Sequence, residues 1–474
     1  MSSFNLTNLK KTIRYCKKNG IRKAFFTAKE RLESTSQEEE VYQSPTESIL
    51  QKQRNTVFER AIKYSIVVPC YETNADYLKK MIQSVLEQTY SNWELILKDA
   101  SSSDNVSKIV SGYRDLRILY SRLSKNNGIS SNTNEALNQV AGDYVVLLDH
   151  DDILTPDALF EVTKSIQSAE EMPVFLYSDE DKTDETQSRY FNSNIKPDFN
   201  FDLLLTNNYI CHLLVVKTEY IRKLRFRKEY DGAQDYDLIL RLTGCVLDKF
   251  GFASMKRVIC HIPKILYHWR CHSESTAINP QSKMYAYEAG LQAVKDFIKS
   301  RNWNALAEHA DHLGFYRITE DYQNLWRERP EIGAIGGPIF AHGKIKGGAM
   351  SDTGRIFFSG MSRHYSGYMN RAVCVQDVEA LDIREMLLRR ELAEEFIQDP
   401  RVTNINALQD MHEVRFDQVV IEADEVEGIV KLRIFKTANL KVISLQLSEF
   451  IRQKGYLLLY DPYFSKKGAG RDNG

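Results

Sequence analysis

Four short β-rich runs between Tyr64 and Leu148, separated by stretches long enough for helices, constrain the fold of this chain more than any other feature. They are Ser65-Ile66-Val67-Val68-Pro69, Trp93-Glu94-Leu95-Ile96-Leu97, Arg117-Ile118-Leu119-Tyr120 and Tyr144-Val145-Val146-Leu147-Leu148. Met81, Ile82, Val85 and Leu86, between the first two, recur at helical spacing. Strands alternating with helices predict an α/β fold with a parallel, doubly wound sheet. Such sheets bind ligands beyond the carboxyl ends of their strands, so chemistry is expected in the residues after each run. The fourth run leads directly into Asp149-His150-Asp151-Asp152. Three carboxylates at one strand end repel one another unless a cation neutralises them, and hard oxygen ligands suit Mg²⁺ or Mn²⁺. A helix N-cap accounts for Asp152 alone, because Thr155-Pro156-Asp157 opens the next helix; it does not account for the triplet.

At 474 residues the chain exceeds one ordinary domain. Residues 1–60 read as basic helices and a linker, 61–300 as the domain bearing the four runs, 301–330 as a connection and 331–474 as a further module. In the first 33 residues nine lysines and arginines, among them Lys10, Arg14, Lys17 and Arg31, face only Glu30 and Glu33. Apolar residues there repeat at three- and four-residue steps on either side of Asn19-Gly20, predicting two amphipathic helices. Two readings stay open: a charged face packed on its own domain or a second copy, and a membrane-surface pair with Phe25 and Phe26 below the head groups. The formal net charge of -1 gives no global attraction to nucleic acid. Seven scattered cysteines without a Cys-x-x-Cys pair fit a reducing cytoplasm. No apolar run is long enough for a signal peptide or a spanning helix, so the expected place is the cytoplasm, at the inner membrane face.

Val68-Pro69-Cys70-Tyr71-Glu72, Gln88-Thr89-Tyr90-Ser91-Asn92-Trp93-Glu94-Leu95, Asn126-Asn127-Gly128 with Asn134, and Ala141-Gly142-Asp143-Tyr144 ahead of the acids resemble family 2 glycosyltransferases over about 64–300. The resemblance implies a GT-A fold and metal-dependent, inverting transfer of a sugar from a nucleotide-diphosphate donor. It places Pro69, Tyr71, Glu72, Asp99, Asn134, Asp149 and Arg270 at the donor, with Tyr71 stacking on the base and Asp99 accepting a hydrogen bond from it. Asp149 and Asp151 would hold Mn²⁺ or Mg²⁺, with His272 completing the shell and His268 as the alternative. Two departures, Lys98 before Asp99 and Thr133 before Asn134, leave the donor's identity open.

Ser178-Asp179-Glu180-Asp181-Lys182, Asn207-Asn208-Tyr209-Ile210-Cys211-His212, Asp231-Gly232-Ala233-Gln234-Asp235-Tyr236-Asp237-Leu238 and His261 through Arg270 narrow the resemblance to bacterial enzymes of surface polysaccharides, including rhamnosyltransferases with a dTDP-linked donor. In that group the aspartate of the Gln-Asp step, here Asp235, is the base. A carboxylate with an ordinary pKa near about 4 is already ionised at neutral pH and can take the acceptor's proton. A helix-dipole carboxylate is the plainer reading of Asp235, and Asp237 is its rival for the catalytic role. The acceptor is expected to be a glycan or its polyprenyl-linked precursor. Beyond Pro330 the chain resembles the acceptor-side half of a second module, with Leu388-Arg389-Arg390-Glu391 echoing Val215-Val216-Lys217-Thr218-Glu219 and Leu458-Leu459-Tyr460 echoing Ile265-Leu266-Tyr267. No acid triplet recurs there, so this half is expected to be mixed α/β and non-catalytic, serving packing, acceptor binding or association of subunits. A glycosyltransferase-like subunit without activity is the alternative to an enzyme. A nucleotidyltransferase would carry a Gly-rich basic loop after the first strand, and Cys70-Tyr71-Glu72-Thr73-Asn74 has none.

Overall fold

The four apolar runs become the strands β1 (Tyr64–Cys70), β2 (Trp93–Asp99), β3 (Ile118–Arg122) and β4 (Tyr144–Leu147) of a computed structural model. The structure describes residues 25–26, 28–30, 41–271, 284–322, 324–398, 419–423, 429–434 and 440–464. His272 and most of the expected N-terminal helix pair lie outside these. The chain divides into two units, residues 39–320, and residues 1–38 together with 321–474.

In the first unit β1 pairs in parallel with β2 and β4, and β2 with β3. Burial on both faces explains why β1 and β2 read as continuous apolar runs: every β2 residue is buried, and so are six of the seven in β1. Helix α1 (Ala75–Leu86) covers one face with Leu78, Met81, Ile82 and Val85, and Asn74 Oδ1 accepts from the amides of Asp76 (2.9 Å) and Tyr77 (3.4 Å) at its start. Beyond β4 come β5 (Ile153–Leu154), β6 (Phe175–Thr183), β7 (Tyr190–Asn194), β8 (Leu214–Lys217) and β9 (Ile259–Arg270). The sheet runs β3-β2-β1-β4-β8-β6-β9-β5, with β7 on β6. Because β8 is antiparallel to both β4 and β6, and β9 is parallel to β6, strands β1, β2, β3, β4, β6 and β9 all point one way. Their carboxyl ends share an edge with the start of β8. This mostly parallel α/β sheet is the expected GT-A class.

The unit ends later than the sequence suggests. Residues 301–330 were expected to connect domains, yet β10 (Ala305–His309) and β11 (Tyr316–Glu320) form a hairpin inside the first unit. Asn207 Nδ2 donates to Gly314 O at 3.1 Å, and Tyr236 stacks on Tyr316 at 6.1 Å, so the hairpin packs on segments flanking the candidate site.

The second unit holds a six-stranded mixed sheet ordered 376–377, 457–460, 332–336, 386–389, 429–434, 419–423. Its core joins Leu381, Met386, Leu388, Leu392, Phe396, Ile443, Leu447, Phe450 and Tyr460. Ile332–Gly336 is antiparallel to Met386–Arg389 and parallel to Leu457–Tyr460, as β6 is to β8 and β9. Helix Arg390–Gln398 follows its strand as helix Thr218–Leu224 follows β8, and helix Leu440–Gln453 precedes the strand that corresponds to β9. The short echoes in the sequence therefore belong to a repeated topology. Strand Ile429–Ile434 lies antiparallel beside Met386–Arg389, where the first unit has β4. Glu30, within the same unit, accepts from the amides of Ser366 (2.8 Å) and Gly367 (2.7 Å), and Phe26 packs on His364 at 4.3 Å. The described part of the N-terminal segment thus has a protein surface against it. Among the described residues no helix is long and apolar enough to cross a membrane.

Gly142, in the turn before β4, shows why that turn needs a glycine. A Cβ there would lie 2.6 Å from Lys63 O and 2.8 Å from Ser65 N, both backbone atoms of the entry to β1, while the Gly142 amide donates to Ser65 Oγ. Gly142→Ala is expected to lower stability by about 1–3 kcal/mol, the usual cost of overpacking, measured by urea denaturation.

Candidate active site

At the carboxyl edge of the sheet the chain gathers carboxylates and gives nearly every one a different partner. Asp152 is buried; its Oδ2 accepts from Tyr267 Oη at 2.6 Å and its Oδ1 from the Arg270 amide at 2.7 Å. Desolvation pushes its carboxyl well up, and Asp151 and Asp149 add to the rise. Asp152 therefore pins the end of β9 and caps no helix. Asp149 is about half exposed, yet the enclosing cleft pushes its carboxyl up, His212 pulls it down, and Asp151 and Asp235 push it up again, for a net rise.

Asp235 reaches the same cleft from helix α5 (Gln234–Phe250), in its first turn, where the helix dipole favours an anion. Two anchors place it. Asp231 accepts from the amide of Ser130 at 3.1 Å at the start of helix Ile129–Leu137, and Gly128, with φ 96°, leaves room, since a Cβ there would lie 2.3 Å from the Asp231 carboxylate. Asn208 Nδ2 donates to Asp235 Oδ2 at 2.8 Å. Asp237, the rival base, is buried and bound by Arg227 and by Arg241, whose Nε and Nη2 lie 2.9 and 2.7 Å from Oδ2. Its place is in an ion-paired clamp.

The donor-side expectations divide. Pro69 and Tyr71 stand at the end of β1, Tyr71 with 52% of its surface exposed, so its ring is available for stacking. Asp99, buried at the end of β2, accepts from Tyr120 Oη at 2.8 Å and from the Ser101 amide at 2.9 Å. The neighbouring Asp99 charge joins burial in pushing the Tyr120 hydroxyl up to about 12. Glu72 was expected at the donor, but its carboxylate accepts from the Ser102 amide and hydroxyl and the Ser103 hydroxyl, each at 2.7 Å. These bonds hold its carboxyl down at about 2 and make Glu72 the clamp of the loop after β2. Asn134 was likewise expected at the donor; its Nδ2 donates to Phe226 O at 2.8 Å and its Oδ1 accepts from the Phe226 amide at 2.9 Å. Both polar atoms tie helix Ile129–Leu137 to the chain before α5.

Arg270 ends β9 with its guanidinium 4.6 Å over the Tyr77 ring, Nε donating to Asp151 O at 2.6 Å and Nη1 to Glu185 O at 2.7 Å. Among the described residues its Nη2 is buried without a hydrogen-bond partner, the kind of donor that an anionic oxygen satisfies. His268, the alternative metal ligand, is a core histidine: buried, its Nδ1 2.5 Å from Asp181 Oδ1, between the rings of Tyr42 and Tyr190.

Sequence reasoning assigned no role to His212, Glu180, Lys196 and Asn208. His212 sits just before β8, stacked on Tyr267 at 4.6 Å and 9°. Its Nδ1 is 3.1 Å from Glu180 Oε2, and its Nε2 faces Asp149 Oδ2 at 3.8 Å. Burial opposes charge on this imidazole, Cys211 and Glu180 favour it, and the net pKa is well above the usual value. Burial raises the Glu180 carboxyl, but Lys196 at 3.7 Å, His212 and Asn194 outweigh it and hold it at about 2. Asp149, Asp152 and His212 each offer an atom within 4.8 Å of the others, a carboxylate and imidazole set that fits Mn²⁺ or Mg²⁺. Asp151, expected to be the direct ligand, does not belong to that group of three. Two cavities of about 470 and 400 Å³ open elsewhere, around Asp143 and Lys217 and around Asp198 and Lys256, and neither is lined by the acid cluster.

The family description Glycosyl transferase family 2 matches residues 65–225, the segment that supplies the four parallel strands and the acid cluster. The chain carries a family 2 glycosyltransferase domain. The chain is 40% identical over 266 residues to the uncharacterized protein y4gI of Sinorhizobium fredii, covering 55% of this chain and 28% of that protein. The O-antigen biosynthesis protein RfbC of Myxococcus xanthus is 31% identical over 245 residues, covering 51% of this chain and 18% of its own length. The chain thus spans less than a third of either relative. The crystal structure of S. aureus TarS 1-349 resembles 50% of this chain and 65% of its own at 20% identity, with a TM-score of 0.38.

The two aspartates of α5 have separable roles. Asp237→Ala leaves two arginines without their buried partner and is expected to cost about 3 kcal/mol, toward the low end for a broken buried pair because both arginines touch solvent. Asp235→Asn should leave the unfolding midpoint nearly unchanged, and thermal denaturation of the two variants compares them.

Proposed function

We propose that the first unit transfers a sugar from a nucleotide-diphosphate donor to a hydroxyl of a bacterial surface polysaccharide or its lipid-linked precursor, with inversion. The observation that supports this most is the convergence of Asp235 and Asp149 on one cleft: a carboxylate that accepts from the Asn208 amide at 2.8 Å, with Cys211 Sγ 3.9 Å away, opposite an acid cluster able to hold a cation. In that reading Tyr71 stacks on the base and Asp99 fixes the strand end beneath it. Arg270 Nη2 meets a diphosphate oxygen. The acceptor oxygen attacks the anomeric carbon as its proton passes to the Asp235 carboxylate, and the bond from that carbon to the diphosphate breaks on the opposite face. Asp149, with Asp151 and Asp152 beside it, would hold a divalent ion, which neutralises charge developing on the leaving diphosphate.

The name of the Myxococcus relative supports a surface polysaccharide as product, and a dTDP-linked rhamnose or a UDP-linked hexose is the donor class proposed. The second unit is read as non-catalytic. It repeats the acceptor-side strands, but the first described turn of the corresponding helix, Leu440–Gln453, holds no acid, where the first unit has Asp235 and Asp237.

Asp235→Asn is expected to keep donor binding and reduce turnover by roughly 10²–10⁴-fold, the usual contribution of a general base. Calorimetry for binding and nucleotide release for turnover separate the two effects. Asp151→Ala and excess chelator should each abolish transfer in the folded protein; full turnover in chelator overturns the metal-dependent reading. Titration of the full chain with the donor that supports turnover should saturate at one nucleotide per chain, and a second site would restore a catalytic reading of the second unit.

A further inference from the structure

His212 stands at the site between two acids, with Nδ1 toward Glu180 and Nε2 toward Asp149. A core histidine has both ring nitrogens directed at protein, as His261 has, with Nε2 2.9 Å from Asp179 and Nδ1 3.2 Å from Asp198. His212 has Nδ1 held by Glu180, while Nε2 faces Asp149 Oδ2, with Cys211 Sγ 3.7 Å from that nitrogen. Its Nδ1 lies 3.1 Å from Glu180 Oε2, and its backbone amide donates to the same oxygen at 3.3 Å. Glu180 is itself fixed by Asn194 Nδ2 at 3.1 Å and by the buried ammonium of Lys196 at 3.7 Å, and Lys196 donates onward to the carbonyls of Ile210 and His212. The ring plane is set by Tyr267, stacked 9° from parallel, whose hydroxyl bonds Asp152. A carboxylate that accepts Nδ1–H leaves the Nε2 lone pair directed away from it, the arrangement that orients imidazole toward a metal.

That Nε2 lies 3.8 Å from Asp149 Oδ2, too far for a hydrogen bond. An ion with bonds of about 2.1 Å holds adjacent ligands about 3 Å apart and opposite ones about 4.2 Å apart, and the observed gap falls between. We propose that His212 Nε2 is the nitrogen ligand of the divalent ion that Asp149 binds, with Glu180 and Lys196 as positioning residues that fix its ring. This rests on the metal-dependent donor reading and goes beyond it by choosing the ligand. It gives the Asn207-Asn208-Tyr209-Ile210-Cys211-His212 segment a double task, since Asn208 aims the base and His212 the ion, four residues apart.

The test uses the full chain loaded with Mn²⁺ and pulsed electron paramagnetic resonance, which reads nitrogen bonded to the ion without any turnover. The wild-type protein should show ¹⁴N modulation that changes to the ¹⁵N pattern when its histidines are ¹⁵N-labelled. His212→Gln should lose the modulation and bind Mn²⁺ at least about 10-fold more weakly, as disturbance of a ligand or its support does; His272→Gln should keep the modulation. Circular dichroism checks that the variants fold, and His212→Asn serves if the glutamine variant does not. Mn²⁺ bound without nitrogen modulation, or modulation that persists in His212→Gln, overturns this assignment while leaving glycosyl transfer intact. No Mn²⁺ binding with donor present, alongside full turnover in chelator, overturns both readings.

Discussion

Crowding of negative charge at one sheet edge is the constraint on which the rest of the site depends. Asp149, Asp151, Asp152, Glu180, Asp181 and Asp235 all come from segments at or beyond the carboxyl ends of β4 and β6 or the start of α5. Without compensation their repulsion would favour unfolding, because charges a few ångströms apart in a partly dry cleft interact by several kcal/mol. The fold answers separately for most of them. Tyr267 and the Arg270 amide take Asp152, Lys196 and His212 take Glu180, and His268 takes Asp181. Asp149, with the His212 imidazole 3.8 Å away, is left as the member of the group that an added cation best relieves. A site of this kind stores unfavourable electrostatics in the free protein and releases it when a cation and an anionic donor arrive together.

Much of the architecture is visible in the amino-acid order because burial on both faces of a parallel sheet demands long apolar runs. Those runs mark β1 to β4 within a residue or two, and the acid triplet at the end of β4 needs no partner from elsewhere to be noticed. Asp235 is legible for a similar reason, as an acid at the start of a long amphipathic helix. The individual roles around these landmarks depend on distant contacts. Asp235 and Asp237 are two residues apart and look alike in sequence, but Arg227 and Arg241 close on one, and Asn208 aims the other. Glu72 follows a strand end and Asn134 sits in a helix facing the chain before Asp235, and each has its side chain occupied by a neighbouring loop. His268, expected as an alternative metal ligand, is taken by Asp181, while His212, to which sequence reasoning assigned no role, lies beside Glu180, a consequence of the register in which Asp181 faces His268 and Glu180 faces Tyr267.

The irregular pairing of β6 with β9 accounts for that register. The match shifts between Ser178 and Glu180, where Asp179 pairs with Ile265 and the Pro263-Lys264 step is skipped. Proline cannot donate to a ladder, so a bulge is the natural outcome there. Its effect is to change which β6 side chains accompany Tyr267 and His268 at the far end of the strand. An offset one residue different would put Glu180 opposite Leu266 or His268 and take the carboxylate from its place behind His212.

The repeated trio of strands in the second unit shows that this sheet has a seam. The half made of β8, β6 and β9 can be built again with its helices and a filled core while another antiparallel strand stands in for β4, so its stability does not require the half that carries β1, β2 and β3. A fold with such a seam can be lengthened by copying one side of it. The copy repeats the strand order and flanking helices of that side, so one set of packing rules serves twice in a single chain.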